Sequence, residues 1–522
     1  MSVAVTEKQI SKKRYGGTLM GQFILSIDIG TSACKVAIFD RKGIVIASVN
    51  EGYPVYYPKP GYIEQKPDEW WEATCKGIKK VLEKGNVTPD QIVGVGVDGQ
   101  SWSAIAIDKE GKVLFNNPIW MDTRANDICI RLNQEIGADQ IFSVAGNPLQ
   151  PSYSTAKIRW YQESYPEQYK KIDKILQSNS YIVYKMTNMA SQEKSQGYGL
   201  HCFHLQKGIW DKEMASSLGI PMSFLPDIYD CHDVVGGVSD ECARQTGLLA
   251  GTPVVAGGLD AACGTLGAGV YANGQTQEQG GQAGGMSICT DLYTASPKLI
   301  CSFHVIPDKW LLQGGTTGGG GALRWFEGTF GDYERELAKT KDSSSFALLD
   351  ELAEQIAPGS DGMIFLPYLA GERSPIWDPD AKGVYYGIDF NKSKSHFIRA
   401  LLEGVGFSLL HNLEEAEAAG AHAQMLRAMG GAANSRLWTQ IKADITGRRI
   451  EVPSSDTATT LGAAILAGMG IGWYSSYEEA VKETVKVTRV HEPDIEKHEI
   501  YQKNYQTYRR LYEDLKETMH RK

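Results

Sequence analysis

Three glycine-rich corners and two aspartates of this chain, Asp28 and Asp260, offer backbone that a ligand can approach closely and carboxylates that can hold a metal ion or take a proton. Together these are the parts that phosphoryl transfer asks for, which needs positioned charge more than covalent chemistry. In Asp28-Ile-Gly-Thr-Ser32, Asp28 would project from the end of a strand, Gly30 would let a turn close, and Thr31 and Ser32 would offer hydroxyls and N–H groups. Taken alone, any hairpin turn can carry such residues. Gly314–Gly321 places Gly315, Thr316 and Thr317 among six glycines, directly before Ala322-Leu-Arg-Trp-Phe326, which can start a helix. That much backbone freedom is costly unless something such as phosphate must come close, although a hinge would use the same residues. In Met429-Gly-Gly-Ala-Ala-Asn434, the small Gly430 and Gly431 could admit a flat base or ribose and Asn434 a polar contact; a plain strand-to-helix connection is the alternative. None of these corners contains GxxxxGK[ST], so the P-loop lysine should be absent. Asp260, after the Val-rich run ending at Val255 and before a small-residue segment, is the best candidate for the base, with a helix-capping aspartate as the alternative reading.

These residues need elements to hold them. Phe23–Ile27 and Lys35–Phe39 read as two strands joined through the Asp28–Ser32 corner, a β-hairpin. Pro67 opens a helical pattern with Trp71, Cys75, Ile78 and Leu82 at intervals of three and four, and Ile92–Val97 reads as the next strand. Strand, helix, strand argues for α/β layers, and the second half reuses the pattern without an obvious linear repeat. With 522 residues a single core is improbable, and apolar periodicity gives way to Asn, Gln and Gly between Tyr271 and Gln282, where a domain border is expected. Near the end, Tyr501, Tyr505, Tyr508, Tyr512, Leu515 and Met519 share one helical face, as in a helix docked on the body.

Composition narrows the partners. The 53 Lys and Arg against 62 Asp and Glu give a net charge of −9, which disfavours nucleic acid as a partner. Nine scattered cysteines without a CxxC pair fit a reducing compartment rather than a disulfide framework. No secretory or membrane-spanning run occurs, so a cytoplasmic enzyme with no membrane partner and a frayed leader over 1–19 is expected.

Taken together, these motifs resemble the FGGY carbohydrate kinases, and the likeness covers nearly the whole chain after Met20. Asp28–Thr31 looks like the family's first phosphate motif and Gly314–Thr317 like its second. Gly430–Gly447 looks like the adenosine motif and second signature, Thr155–Trp160 like the first signature, and Leu366–Pro375 like a further characteristic segment. The resemblance implies an α/β fold of two actin-like, RNase H-type domains around a central cleft, sugar-binding over 20–272 and nucleotide-binding over 273–522. It implies ATP and Mg2+, with Asp260 as catalytic base and Asp28 beside the metal. Gln100, Ser101 and Trp102 fall in the sugar-binding segment, and Asp122 and Arg124 sit where the family commonly contacts sugar. Likeness is closest to the xylulokinases, which makes D-xylulose the leading acceptor, with D-xylulose 5-phosphate as product, ahead of other pentuloses, gluconate or glycerol. Ser101-Trp102 stands where xylulokinases usually carry Met-His, and Ala261 where they carry Asn. A homodimer is compatible with this reading, and a non-catalytic ATP-binding sensor or scaffold is the alternative of another class.

Overall fold

A computed structural model describes residues 21–454 and 457–521; the leader expected over 1–19 lies outside them. β1 (Phe23–Ile29) and β2 (Ala33–Phe39) pair antiparallel, and β3 (Val45–Gly52) extends β2 antiparallel. β1 is apolar on both faces apart from Ser26 and Asp28, as a strand covered on both sides should be. α1 (Pro67–Gly85) buries Trp70, Trp71, Ile78, Val81 and Leu82, with Pro67 in its first turn, where its missing N–H costs nothing. The chain then returns as β4 (Ile92–Gly99), parallel to β1. Later come β5 (Val234–Gly237), β6 (Pro253–Val255) and β7 (Gly258–Leu259), giving the order β3-β2-β1-β4-β6-β5, with β7 also on β4.

The second sheet begins with the antiparallel hairpin β8 (Gln275–Gly280) and β9 (Gly284–Thr290). It continues through β10 (Ile300–Phe303), β11 (Trp310–Thr316), β12 (Met425–Met429), β13 (Ile450–Pro453) and β14 (Val487–His491), in the order β10-β11-β9-β8-β12-β13-β14. Strands β3-β2-β1-β4-β6 and β11-β9-β8-β12-β13 follow one plan, three antiparallel strands and then two parallel ones. The repeat that the linear sequence hides is plain in the strand order.

α2 (Asp260–Gly267) leaves the first sheet, and α3 (Gly320–Phe330), α4 (Ser345–Glu354), α5 (Lys394–Ala418) and α6 (Arg436–Thr446) accompany the second. α7 (Ala458–Gly470) joins the two halves. A Cβ on Gly462 would stand 1.9 Å from the Cys263 carbonyl oxygen, and one on Gly267 1.8 Å from that of Ala458, so α2 and α7 touch backbone to backbone. α7 also lies on β1 and β4, where Ser26 Oγ donates to the Thr460 carbonyl at 2.7 Å. The expected tyrosine stripe is buried on α8 (Ile495–Met519), with Tyr508 and Tyr368 hydroxyls 2.8 Å apart. Among the described residues no helix is long and apolar enough to cross a membrane.

Candidate active site

Three acids converge where the parallel strands of the first sheet end. Asp28 on β1 is the register partner of Asp98 on β4, and Gly258 of β7 pairs with Asp98 on its other side, two residues before Asp260 opens α2. Carboxyl ends of parallel strands are where open α/β sheets place their ligands. Asp98 is fully buried, and neither of its oxygens meets a donor group. Burial, then the charges of Asp28 and Asp260, push it well above the usual carboxylate range, so Asp98 keeps its proton and shares it with Asp28. Burial also raises Asp28, to about 6, against the pull of Asp98 and Lys35. Asp260 is raised to about 7, first by burial and then by Asp28, while the Ala261 N–H, 2.6 Å from Oδ1, works the other way. A carboxylate poised near neutral pH at the head of a helix is suited to accept a proton.

Asp28 and Asp260 open onto a cleft of about 830 Å³ between the two sheets, shared with Thr31, Trp102, Arg373 and Gly430. A second cavity of about 420 Å³ adjoins it, lined by Gln282, Phe346, Asp350, Ser435 and others. Gly281, Gly431 and Asn434 border both, so one trough runs from the acids toward an apolar wall. Gly430, at φ 82°, lets the β12 corner approach the Gly280 carbonyl, which a Cβ would meet at 2.9 Å.

Several sequence expectations meet in this trough. Asp260, Asp28, Gly30, Thr31, Ser101, Trp102, Gly430, Gly431 and Asn434 all line it. Ser32 and Gln100 do not: Ser32 offers its carbonyl to the Tyr53 N–H, and buried Gln100 donates to Gln65 Oε1 at 2.9 Å. Asp122 and Arg124 need a correction. Asp122 is fully buried and accepts from the Ile63 and Arg124 N–H groups. The Arg124 guanidinium pairs with Asp122 and Glu64 and lies 4.1 Å from the Tyr62 ring and 4.7 Å from Trp160, beside a separate cavity. This pair braces the loop; in the same motif it is Trp120 that reaches the cleft, its Nε1 donating to Thr31 Oγ1 at 3.0 Å.

Gly315, Thr316 and Thr317 need the second correction. They do not line the trough, and their donors are already engaged. Gly315 N–H donates to Ser374 Oγ at 2.5 Å, and Thr317 N–H and Thr316 Oγ1 donate to Glu372 at 3.0 and 2.6 Å. The corner that faces Asp28–Thr31 across the cleft is the β8–β9 turn at Gly281 and Gln282, its counterpart in the repeated strand plan. The run beyond Thr317 backs this turn, with the Gly320 and Gly321 N–H groups donating to the Gly281 and Gln282 carbonyls.

Trp102 is held unusually. It has φ 61°, its ring stacks on Tyr153 at 4.3 Å, and its Nε1 is buried without a partner. Its carbonyl accepts from Lys157 Nζ at 2.7 Å, and burial lowers that fully buried lysine to about 7. A positive φ at a bulky residue costs energy and marks a constrained position.

Sequence reasoning passed over Asp98, Arg373, Gly281, Gln282 and Phe346. An acid ending a buried strand, like Asp28, was the available signal for Asp98; Gly281 and Gln282 follow only from strand pairing, and Arg373 and Phe346 only from how a loop and a helix pack at the cleft.

The N-terminal domain model of the FGGY family of carbohydrate kinases matches residues 23–267, and its C-terminal domain model residues 297–471. A xylulose kinase of Staphylococcus epidermidis is 32% identical over 96% of this chain and 98% of its own length. A gluconokinase of Bacillus licheniformis is 30% identical over 93% of this chain and 94% of its own. The crystal structure of a xylulose kinase from Rhodospirillum rubrum superposes with a TM-score of 0.88 at 26% identity, covering 96% of this chain and all of that one. With both halves matched and the acids gathered at the cleft floor, this chain belongs to the FGGY family and is an ATP-dependent carbohydrate kinase.

Proposed function

We propose that the enzyme moves the γ-phosphoryl group of ATP onto a hydroxyl of a small ketose or polyol, with D-xylulose first and D-xylulose 5-phosphate as product. The observation that carries this reading is Asp260, raised to about 7, opening onto one cleft with Asp28 and the Gly281 and Gly430 corners. As the acceptor oxygen bonds to the γ-phosphorus, its proton passes to Asp260, the bond to the β-phosphate oxygen breaks and ADP leaves. Gly30, Thr31 and Gly281 supply the approachable backbone for the phosphates, and Gly431, Asn434 and Phe346 the wall for the nucleoside. Ser101, Trp102 and Trp120 border the sugar end.

The two sheets support an actin-like, RNase H-type assignment, because each repeats the same five-strand plan; we set the domains at 20–272 and 273–522. Mg2+ fits the acid that reaches the cleft: burial disfavours the charge of Asp28, and a cation beside it would favour the ionised form. No group of three or more His, Cys, Asp or Glu among the described residues is placed to hold a metal, but Mg2+ needs only one or two protein carboxylates. Asp28 would hold the ion, which would supply charge neutralisation on the phosphates. Nine free cysteines, eight of them buried, support a cytoplasmic setting. A homodimer is compatible with this assignment.

Xylulose is placed first on the strength of the relatives' names, and the gluconokinase relative keeps aldonates in the test. ADP release should be measured with pentuloses, hexuloses, gluconate and glycerol and ranked by kcat/KM. Xylulose or another five-carbon ketose or polyol should lead. A hexose, gluconate or glycerol at least about tenfold ahead would overturn the acceptor assignment.

A further inference from the structure

We infer that Arg373 is a catalytic residue that meets the charge of the phosphoryl group in flight. The inference rests on the kinase reading above. The charged side chains lining the main cleft, among the described residues, are Asp28, Asp260 and Arg373. No hydrogen bond or ion pair joins the Arg373 guanidinium to another described side chain, whereas its neighbours on both sides are pinned. Glu372 accepts from Thr316 Oγ1, the Thr317 N–H and the Arg373 N–H, and its backbone pairs with Asp378 at 2.8 and 3.0 Å. Ser374 Oγ accepts the Gly315 N–H. The donors of the Gly-Thr-Thr run thus fix a short segment whose middle residue extends a free guanidinium into the cleft.

Its position suits the task. Arg373 borders the cavity that holds Asp260 and the Gly281 corner, and its charge is felt at Tyr153, beneath Trp102. It therefore lies between the phosphate corners and the sugar end. Two acids in the cleft oppose an incoming polyphosphate, and the transferring group spreads charge over three oxygens. A guanidinium fork matches such oxygens better than an ammonium does. A contact strengthened only in the transition state raises kcat.

The test uses the full-length chain and the best acceptor of the ADP-release panel. Arg373→Met should lower kcat on the order of 10³-fold, the scale of a lost phosphoryl-directed arginine. Acceptor and Mg·ATP affinities by isothermal titration should change little. Guanidinium ion at millimolar level should restore part of the turnover of Arg373→Ala. Arg373→Lys keeps the charge without the fork and should lose about tenfold or more in kcat; it decides the matter if the Met variant does not fold. A kcat within about tenfold of wild type in folded Arg373→Met, or an undiminished kcat in Arg373→Lys, overturns the inference. So does a rise in KM confined to gluconate with kcat intact, which would make Arg373 a carboxylate anchor. If no acceptor of the panel raises ADP release by the wild-type chain above the acceptor-free rate, the proposed phosphoryl transfer to a sugar or polyol fails, and the role of Arg373 with it.

Discussion

Asp98 and Asp28 stand side by side as register partners on adjacent parallel strands, one fully buried and protonated, the other opening onto the cleft. Both titrate above the ordinary carboxylate range, Asp28 at about 6. The folded protein therefore holds more protons here than the unfolded chain from about pH 4 upward, and this contribution to stability is lost as pH rises, for Asp28 through about 6 and for Asp98 beyond it. Asp98→Asn keeps a donor for Asp28 but removes one titrating group. Thermal unfolding midpoints measured from pH 4.5 to 7.5 should fall less steeply with pH in the variant than in the wild type. Parallel curves would contradict the shared proton.

Much of the site was legible because it was local. A strand, an acid and a small-residue turn in succession announce Asp28–Thr31, and Asp260 between a Val-rich strand and a helix is readable the same way. What failed was non-local. Nothing near Gly315 tells that Ser374 and Glu372, more than fifty residues on, take its corner's donors. Likewise the partners that turn Asp122 and Arg124 into a brace, Ile63 and Glu64, come from a segment some sixty residues earlier. The repeated sheet was invisible for a related reason: strand order is conserved by packing and direction, which a linear repeat search does not see.

The phosphate corners can be told apart by substitution. A Cβ on Gly281 would meet only the Ala283 carbonyl oxygen, at 3.6 Å, so a larger side chain there fits the fold and intrudes on the cleft. Gly281→Val should weaken ATP binding about tenfold or more, roughly 1.4 kcal/mol, by isothermal titration. Thr317→Ala should leave ATP affinity nearly unchanged, since the Thr317 hydroxyl already donates to the Gly371 carbonyl. The reverse order would restore the Gly-Thr-Thr run as the phosphate site.

Lys157 does not itself line the cleft, yet its Nζ donates to the carbonyl of Trp102, a cleft residue held at positive φ. Lys157→Met fills similar volume and removes that hold, so the indole should lose its fixed place at the sugar end. The expected result is a several-fold rise in acceptor KM at near-constant kcat. Loss of kcat with KM unchanged would show that Lys157 serves the chemical step and not the position of Trp102.

The central claim is that Asp260 takes the acceptor proton, and the pH profile of kcat/KM for the acceptor, wild type against Asp260→Asn, tests it most directly. Because the base must be ionised and burial with Asp28 holds it near 7, wild-type kcat/KM should climb as pH rises through about 7 and then level. Asp260→Asn should bind sugar and Mg·ATP much as before, turn over about 100-fold or more slower, and lose that rise. A folded Asp260→Asn enzyme with near-normal turnover, or one that keeps the same limb near pH 7, would contradict the account.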